Sequence, residues 1–266
     1  GYYRHYVDPM KPFAASMAPH LHGMAVTSAT LRDTEDWQNA RIRSGAHYLS
    51  PNSHDVSYES PFDYAKQTKI FVINDVRKDD LAQVSAAYKA LFQASQGSAL
   101  GLFTAISRLR AVHNALAAPL EEKGIPVYAQ HVDDIDAGTL VDMFRENEQS
   151  CLLGTDAIRD GVDVPGNSLR LIAFDRVPWP RPTIMHKARR NAFADMMGGP
   201  RAYDEMITRL KLKQAFGRLI RRADDKGVFV MLDPMLPTRL QNAFPKDVEV
   251  VKTGLNEVIS EIKNFL

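Results

Sequence analysis

The chain has 266 residues, 45% apolar and 24% charged, a composition that suits a folded protein with a sizeable core and excludes a disordered one. Its 33 Lys and Arg are balanced by 32 Asp and Glu, so attraction to a polyanion has to come from local patches and not from the net charge of +1. No apolar run approaches 18 residues, which excludes an ordinary membrane helix, and the single cysteine, Cys151, excludes an internal disulfide or a four-thiolate metal site. The opening GYYRHYVDPM has no basic stretch leading into an apolar one, so it does not read as a secretory signal; a first residue that is Gly instead of Met points to a processed, cloned or excised fragment.

In chain order, residues 22–31 (HGMAVTSATL) read as a short interior strand entering a loop of small residues. Residues 32–68 are mixed and polar, with turns at Ser50-Pro51-Asn52 and Ser60-Pro61 and a boundary near 58. Apolar runs and helical patterns then alternate. Strands are expected at 69–74, 98–104, 125–130, 151–155, 169–174 and 227–233, with helices near 79–94, 106–122, 139–146 and 202–222. Ile106, Leu109, Val112 and Leu116 give the second of these helices one apolar face. Continuous apolar runs joined by helices predict an α/β fold with a mostly parallel sheet covered on both faces. The proline-rich stretch 176–200 reads as a surface excursion.

Parallel sheets bind ligands beyond the carboxyl ends of their strands, so polar residues just after apolar runs draw attention. After CLLGT come Asp156, Arg159, Asp160, Gly161 and Asp163; Gly161 permits a tight turn and Asp163 offers an acceptor for a ribose hydroxyl or a basic partner. A solvated acidic turn is the plainer reading of the same loop. Residues 210–227 carry Lys211, Lys213, Arg218, Arg221, Arg222 and Lys226 against Asp224 and Asp225. If the helix runs through to 222, Gln214, Arg218 and Arg221 project from one face and present an amide and two guanidinium groups to a phosphate ligand at the strand-tip cleft. Gly217 within that helix suggests a close approach to the backbone, although a charged outer face is the alternative.

Arg181, Lys187, Arg189 and Arg190, with no acid among 181–190, suit either a nucleic-acid backbone or solvent, and Trp179 suits either a base or its own loop. His20 and His22 lack an evident third ligand, and Asp133, Asp134 and Asp136 read as a solvent loop before a helix more readily than as a magnesium site. No metal site is expected in this chain. No GxxxxGK[ST] phosphate loop and no D-E-x-H strand end occur, so the chain is not by itself a complete P-loop nucleotidase.

Taken together, VTSATL (26–31), SPFDY (60–64), ALGLFTAISRLRAVHNAL (99–116), GTDAIRDGVDVPG (154–166), LRLIAFDRVPWPRP (169–182) and QAFGRLIRRADDKGVFVMLDP (214–234) resemble DinG-like and XPD-like superfamily 2 DNA helicases. The resemblance implies a RecA-like P-loop NTPase fold without its Walker A loop, with residues 1–58 as the tail of a first motor domain and 59–266 as the second. It implies that Gly161, Asp163, Gln214, Arg218 and Arg221 lie on the nucleotide side and that Arg218, Arg221 and Gln214 serve ATP hydrolysis. Thr104, Ser107, Thr155 and Arg159 are implied to contact a DNA backbone, and Thr27, Ser28 and Thr30 to couple the two sites. ATP and Mg²⁺ would be held mainly by the first domain outside this chain. The iron-sulfur cysteines of some relatives would also lie upstream.

Single-stranded or forked DNA, the first motor domain, a cytoplasmic setting, and repair or replication complete the implied picture. Many relatives carry an aromatic-tryptophan-glutamate sequence where this chain has Ile158, Arg159 and Asp160, a change that bears on DNA contact or coupling. A noncatalytic nucleic-acid-binding or regulatory module on the same fold is the principal alternative, and a sugar-nucleotide enzyme on another parallel-sheet fold a more distant one.

Overall fold

The computed structural model describes residues 5–32, 37–49, 53–132, 134–156, 158 and 166–266. The chain divides into two compact units, Gly1–Ser60 with Trp179–Lys211, and Pro61–Pro178 with Leu212–Leu266. The proline-rich stretch from Trp179 onward thus packs with the first sixty residues.

The larger unit is built on one seven-stranded sheet. Its strands are β1 (Thr68–Ile73), β2 (Ala99–Leu102), β3 (Val127–Ala129), β4 (Cys151–Gly154), β5 (Leu171–Phe174), β6 (Gly227–Met231) and β7 (Val250–Thr253). They lie in the order β3-β4-β2-β5-β6-β1-β7, and every neighbouring pair is parallel. Successive side chains of a strand point to opposite faces. Ile70, Val72, Leu100, Leu102, Leu152, Ile172, Phe174, Phe229 and Met231 enter one core, and Phe71, Ile73, Ala99, Leu153, Leu171, Ala173, Val228 and Val230 enter another. Burial on both faces is why the strands read as unbroken apolar runs.

The second core is closed by the helices α4 (Leu81–Ala94) and α5 (Ile106–Glu121), which bring Val84, Tyr88, Leu91, Leu109, Val112 and Leu116. The first core is closed by α6 (Ala137–Glu146) and by residues 212–216 at the end of α8 (Pro200–Phe216). Helix starts are set by carboxylates: Asp80 accepts from the Ala82 and Gln83 amides at 3.1 and 3.2 Å, and Asp136 from Gly138 and Thr139 at 2.9 and 3.1 Å. Asp136 is therefore a cap, and Asp133 lies outside the described residues.

The doubly covered parallel sheet matches the fold class read from the sequence. β7 and the helix α9 (Leu255–Phe265) were not anticipated. β7 is a half-exposed edge strand whose apolar run is interrupted by Lys252, whereas the spacing of Leu255, Val258, Ile259 and Ile262 in α9 is a plain amphipathic signal. Cys151 is fully buried within β4, and burial pushes its thiol well above the ordinary range, which leaves it an inert core residue.

In the smaller unit, α1 (Met10–Met17), α2 (Gln38–Ser44), α7 (Ile184–Phe193) and the first part of α8 are helical. Ile42, Phe193, Tyr203, Met206 and Leu210 form its core, and Gln38 Nε2 donates to the Met196 carbonyl at 2.9 Å. The strand expected within 22–31 does not form: residues 23–28 pair with no other strand among the described residues, and Met24 and Val26 are exposed. A strand needs a neighbour to satisfy its backbone groups, and this unit offers helices instead.

Gly101 in β2 is a position where the packing tolerates no side chain. A Cβ there would lie 2.6 Å from Leu153 Cδ2 and 3.0 Å from Tyr88 Cε1, and Tyr88 is tethered through its hydroxyl to the Ala173 carbonyl. Gly101→Ala is expected to lower stability by about 1–3 kcal/mol, read as a lower urea midpoint at an unchanged slope.

Candidate functional sites at the two ends of the sheet

Because all seven strands run the same way, their carboxyl ends lie along one edge of the larger unit and their amino ends along the other. At the carboxyl edge, Leu102 of β2 is in register with Gly154 of β4, so Thr104 and Thr155 follow neighbouring strand ends. The Thr104 amide donates to Asp175 Oδ1 at 3.2 Å. The Thr155 amide and hydroxyl both donate to Gln130 Oε1, at 3.0 and 2.8 Å. Ser107 is exposed in the first turn of α5. Arg159 lies outside the described residues.

Beneath Thr104 is an ion pair absent from the sequence reading. Asp175, which directly follows β5, is fully buried, and its Oδ2 accepts from Arg108 Nε at 2.6 Å. Arg108 Nη2 also donates to the Lys78 carbonyl at 2.9 Å, and Lys78 Nζ lies 3.0 Å from Asp233, the carboxylate just beyond β6. Burial raises the Asp175 pKa, an effect that the Arg108 hydrogen bond and charge and the Thr104 amide oppose without cancelling. The Tyr88 hydroxyl is driven up as well, first by burial and then by the Asp175 charge. The signal was available in LIAFD and VMLD, where an acid ends a buried strand.

At the amino edge stands the arginine-bearing segment, and here the structure corrects the helical reading. α8 stops at Phe216, so Gln214 stays on the helix while Arg218 and Arg221 do not share its face. The Arg218 amide bonds the Ala215 carbonyl at 3.1 Å and the Leu219 amide the Phe216 carbonyl at 3.0 Å, tight turns that carry Leu219 and Ile220 into the core. What approaches Gly217 is its own helix: a Cβ there would meet the Lys213 carbonyl at 3.3 Å. The chain then turns across 221–225, where Asp225 Oδ2 accepts from the Arg221 and Arg222 amides at 2.7 and 2.8 Å. Arg221 is exposed, and Gln214 and Arg218 are half-buried.

The arginines also lie at the opposite end of the sheet from the position first expected. They precede β6, whereas the threonines follow β2 and β4, so about 16 Å of strand separates the two groups. They cannot line one strand-tip cleft. Gly161 and Asp163, expected on the nucleotide side, lie outside the described residues, as does Asp160.

In the smaller unit, Ser28 Oγ accepts from the Thr30 amide at 3.2 Å and lies 3.4 Å from Thr30 Oγ1, a local turn that follows Thr27. Arg43 Nη1 reaches the Leu31 carbonyl at 3.2 Å. The basic run of 181–190 is partly committed within this unit: Arg189 Nε donates to the Val7 carbonyl at 3.0 Å, and Arg190 pairs with Asp204 at 2.9 Å, as does His186 at 2.8 Å. Among the described residues no three His, Cys, Asp or Glu side chains are grouped to hold a metal ion.

A protein-family model described as the helicase C-terminal domain matches residues 88–250, a span that runs from α4 through both threonines and the arginine turn to the start of β7. The chain belongs to the helicase C-terminal domain family. Its sequence is 35% identical over 192 residues to the ATP-dependent helicase DinG of Mycobacterium tuberculosis, covering 70% of this chain and 28% of that protein. It is 29% identical over 252 residues to the 3'-5' exonuclease DinG of Bacillus subtilis, covering 88% and 26%, and 27% identical over 249 residues to the ATP-dependent DNA helicase YoaA of Escherichia coli, covering 89% and 38%. This helicase domain thus spans between 26% and 38% of the length of these relatives. In fold it is similar to S. tokodaii Xpd4, with a TM-score of 0.55 at 16% identity over 76% of this chain and 41% of that one.

Arg108→Ala leaves Asp175 buried without its partner and is expected to destabilise the domain by about 3–5 kcal/mol in chemical denaturation at neutral pH. For Asp175→Asn the sign follows from the raised pKa. The fold disfavours the ionised carboxyl, so the stability of the unsubstituted domain relative to the Asn variant falls as pH rises from the unfolded-state to the folded-state pKa and is constant above it. Urea midpoints of the two proteins compared from acid to neutral pH test this.

Proposed function

We propose that this chain is the second motor domain of an ATP-dependent DNA helicase, residues 59–266, preceded by the tail of the first, residues 1–58. In this reading the amino edge of the sheet faces ATP held by the first domain, and the carboxyl edge follows single-stranded DNA. The observation that carries it is the arginine turn: an exposed Arg221 on a backbone held by Asp225, within the span that matches the helicase family.

When water attacks the γ-phosphorus and the bond to the bridging oxygen breaks, negative charge grows on the γ-phosphoryl oxygens and on the departing ADP. Guanidinium groups from Arg218 and Arg221, with the Gln214 amide, would neutralise that charge as it develops, the more effectively where water is excluded. Gly161 and Asp163 would add contacts to the nucleotide. Mg²⁺ would be held by the first domain.

At the other edge, Thr104, Ser107, Thr155 and Arg159 would bind phosphates, giving contacts that position the strand without reading bases. Alternation between tight and loose grips, coupled to the nucleotide state through Thr27, Ser28 and Thr30, would move the protein along DNA in a cytoplasmic repair or replication setting. Single-stranded or forked DNA and the first motor domain are the partners this reading requires.

In the complete polypeptide carrying this chain, Arg221→Ala is expected to lower DNA-stimulated ATP hydrolysis by about a thousandfold while DNA affinity stays the same. Unchanged turnover would leave a noncatalytic nucleic-acid-binding or regulatory module as the reading. Ser107→Ala and Thr155→Ala should weaken DNA binding to a similar degree whatever the base sequence, with DNA-free ATP turnover unaffected, as measured by fluorescence anisotropy on several oligonucleotides.

A further inference from the structure

The segment SPFDYAKQ, at 60–67, precedes β1 and is remote in sequence from the arginines. Its short helix α3 (Tyr64–Gln67) is fixed at both ends: Asp63 accepts from the Lys66 amide, and the Thr68 hydroxyl donates to the Tyr64 carbonyl at 2.7 Å. The Tyr64 ring packs on Phe216, the last residue of α8, with centroids 5.8 Å apart. Thr68 is in register with Gly227, the first residue of β6, so Gln67 is brought alongside the turn that leads into that strand.

Gln67 is buried, and its Nε2 lies 3.1, 3.2 and 3.1 Å from the carbonyl oxygens of Arg222, Ala223 and Asp225. One amide nitrogen with two protons thus serves three carbonyls of a single turn. Asp225 ties the amides of Arg221 and Arg222 from within that turn. The backbone that carries Arg221 is therefore held on its donor side by Asp225 and on its acceptor side by Gln67. Only a side chain of this length with a neutral donor does this: methionine fills the space without a proton, and glutamate would set a carboxylate against three carbonyl oxygens.

We propose that Gln67 is a positioning residue for the arginine turn, fixing where Arg221 is presented without itself touching nucleotide. The inference rests on the catalytic reading of Arg221 given above. It assigns to the SPFDYAKQ segment the part of a bracket between the first strand and the last turn before β6.

The test is a double-mutant cycle in the complete polypeptide, using single-turnover hydrolysis of labelled ATP in the presence of DNA, so that residual rates are read. Gln67→Met is expected to lower the hydrolysis rate between about tenfold and a hundredfold, as misplacement of a catalytic group does, with DNA affinity unchanged. In the Arg221→Ala background the same substitution should cause no further loss, because it acts through Arg221. Asp225→Ala, on the exposed side of the turn, should behave the same way and serves if Gln67→Met does not fold. Unchanged hydrolysis in both variants while Arg221→Ala is impaired would overturn the positioning role and leave the arginine reading standing. An equal loss in both backgrounds, accompanied by weaker DNA binding, would also overturn it, since a general loss of structure gives that result. Unimpaired Arg221→Ala would overturn both.

Discussion

Alternate residues of every central strand enter two separate cores, so the sheet has no face left for solvent or ligand. Polar groups are driven to the strand ends, and because the strands are all parallel those ends are two distinct edges. Loops that follow strands gather at one edge and loops that precede them at the other. The two sets of candidate residues in this helicase domain are separated by that constraint alone.

The carboxyl edge is held by charge that the fold disfavours. Asp175 is buried deeply enough that burial outweighs the help from Arg108, yet it joins the loop after β5 to α5 and to the backbone of Thr104. Lys78 and Asp233 carry the same connection to the loop after β6. A buried ion pair contributes little net stability, but removing one partner is costly, so its use here is to fix which loop meets which. Thr104 is thereby directed by Asp175, and Thr155 by Gln130.

The amino edge is assembled differently. The arginine turn has no helix beneath it beyond Phe216 and no strand until Gly227, so its shape depends on side chains: Asp225 from within and Gln67 from more than 150 residues away. Gly227 adds to this by leaving room for Leu219, which a Cβ would approach to 2.7 Å. The tethers are hydrogen bonds to backbone amides and carbonyls of the turn itself.

Much of the larger unit was legible in the amino-acid order. Runs such as KIFVIN and LRLIAF announce strands buried on both faces, and the 3.6-residue spacing of Leu109, Val112 and Leu116 announces a helix that covers them. The motif resemblance likewise points to the helicase family. Where sequence reading failed, the cause was non-local. The strand at 24–26 finds no neighbouring strand among the described residues, β7 is an edge strand with a broken apolar pattern, and the helix carrying Gln214 ends at Phe216 because Leu219 and Ile220 turn into the core. An acid ending a buried strand is visible at Asp175, but its choice of Arg108 as partner, and the reach of Gln67 to the arginine turn, have no local signature. Periodicity and residue type are properties of neighbours along the chain and so specify elements and their apolar faces; the end of the sheet at which a charged group stands, and what holds it there, depend on strand order and on groups brought together across more than a hundred residues.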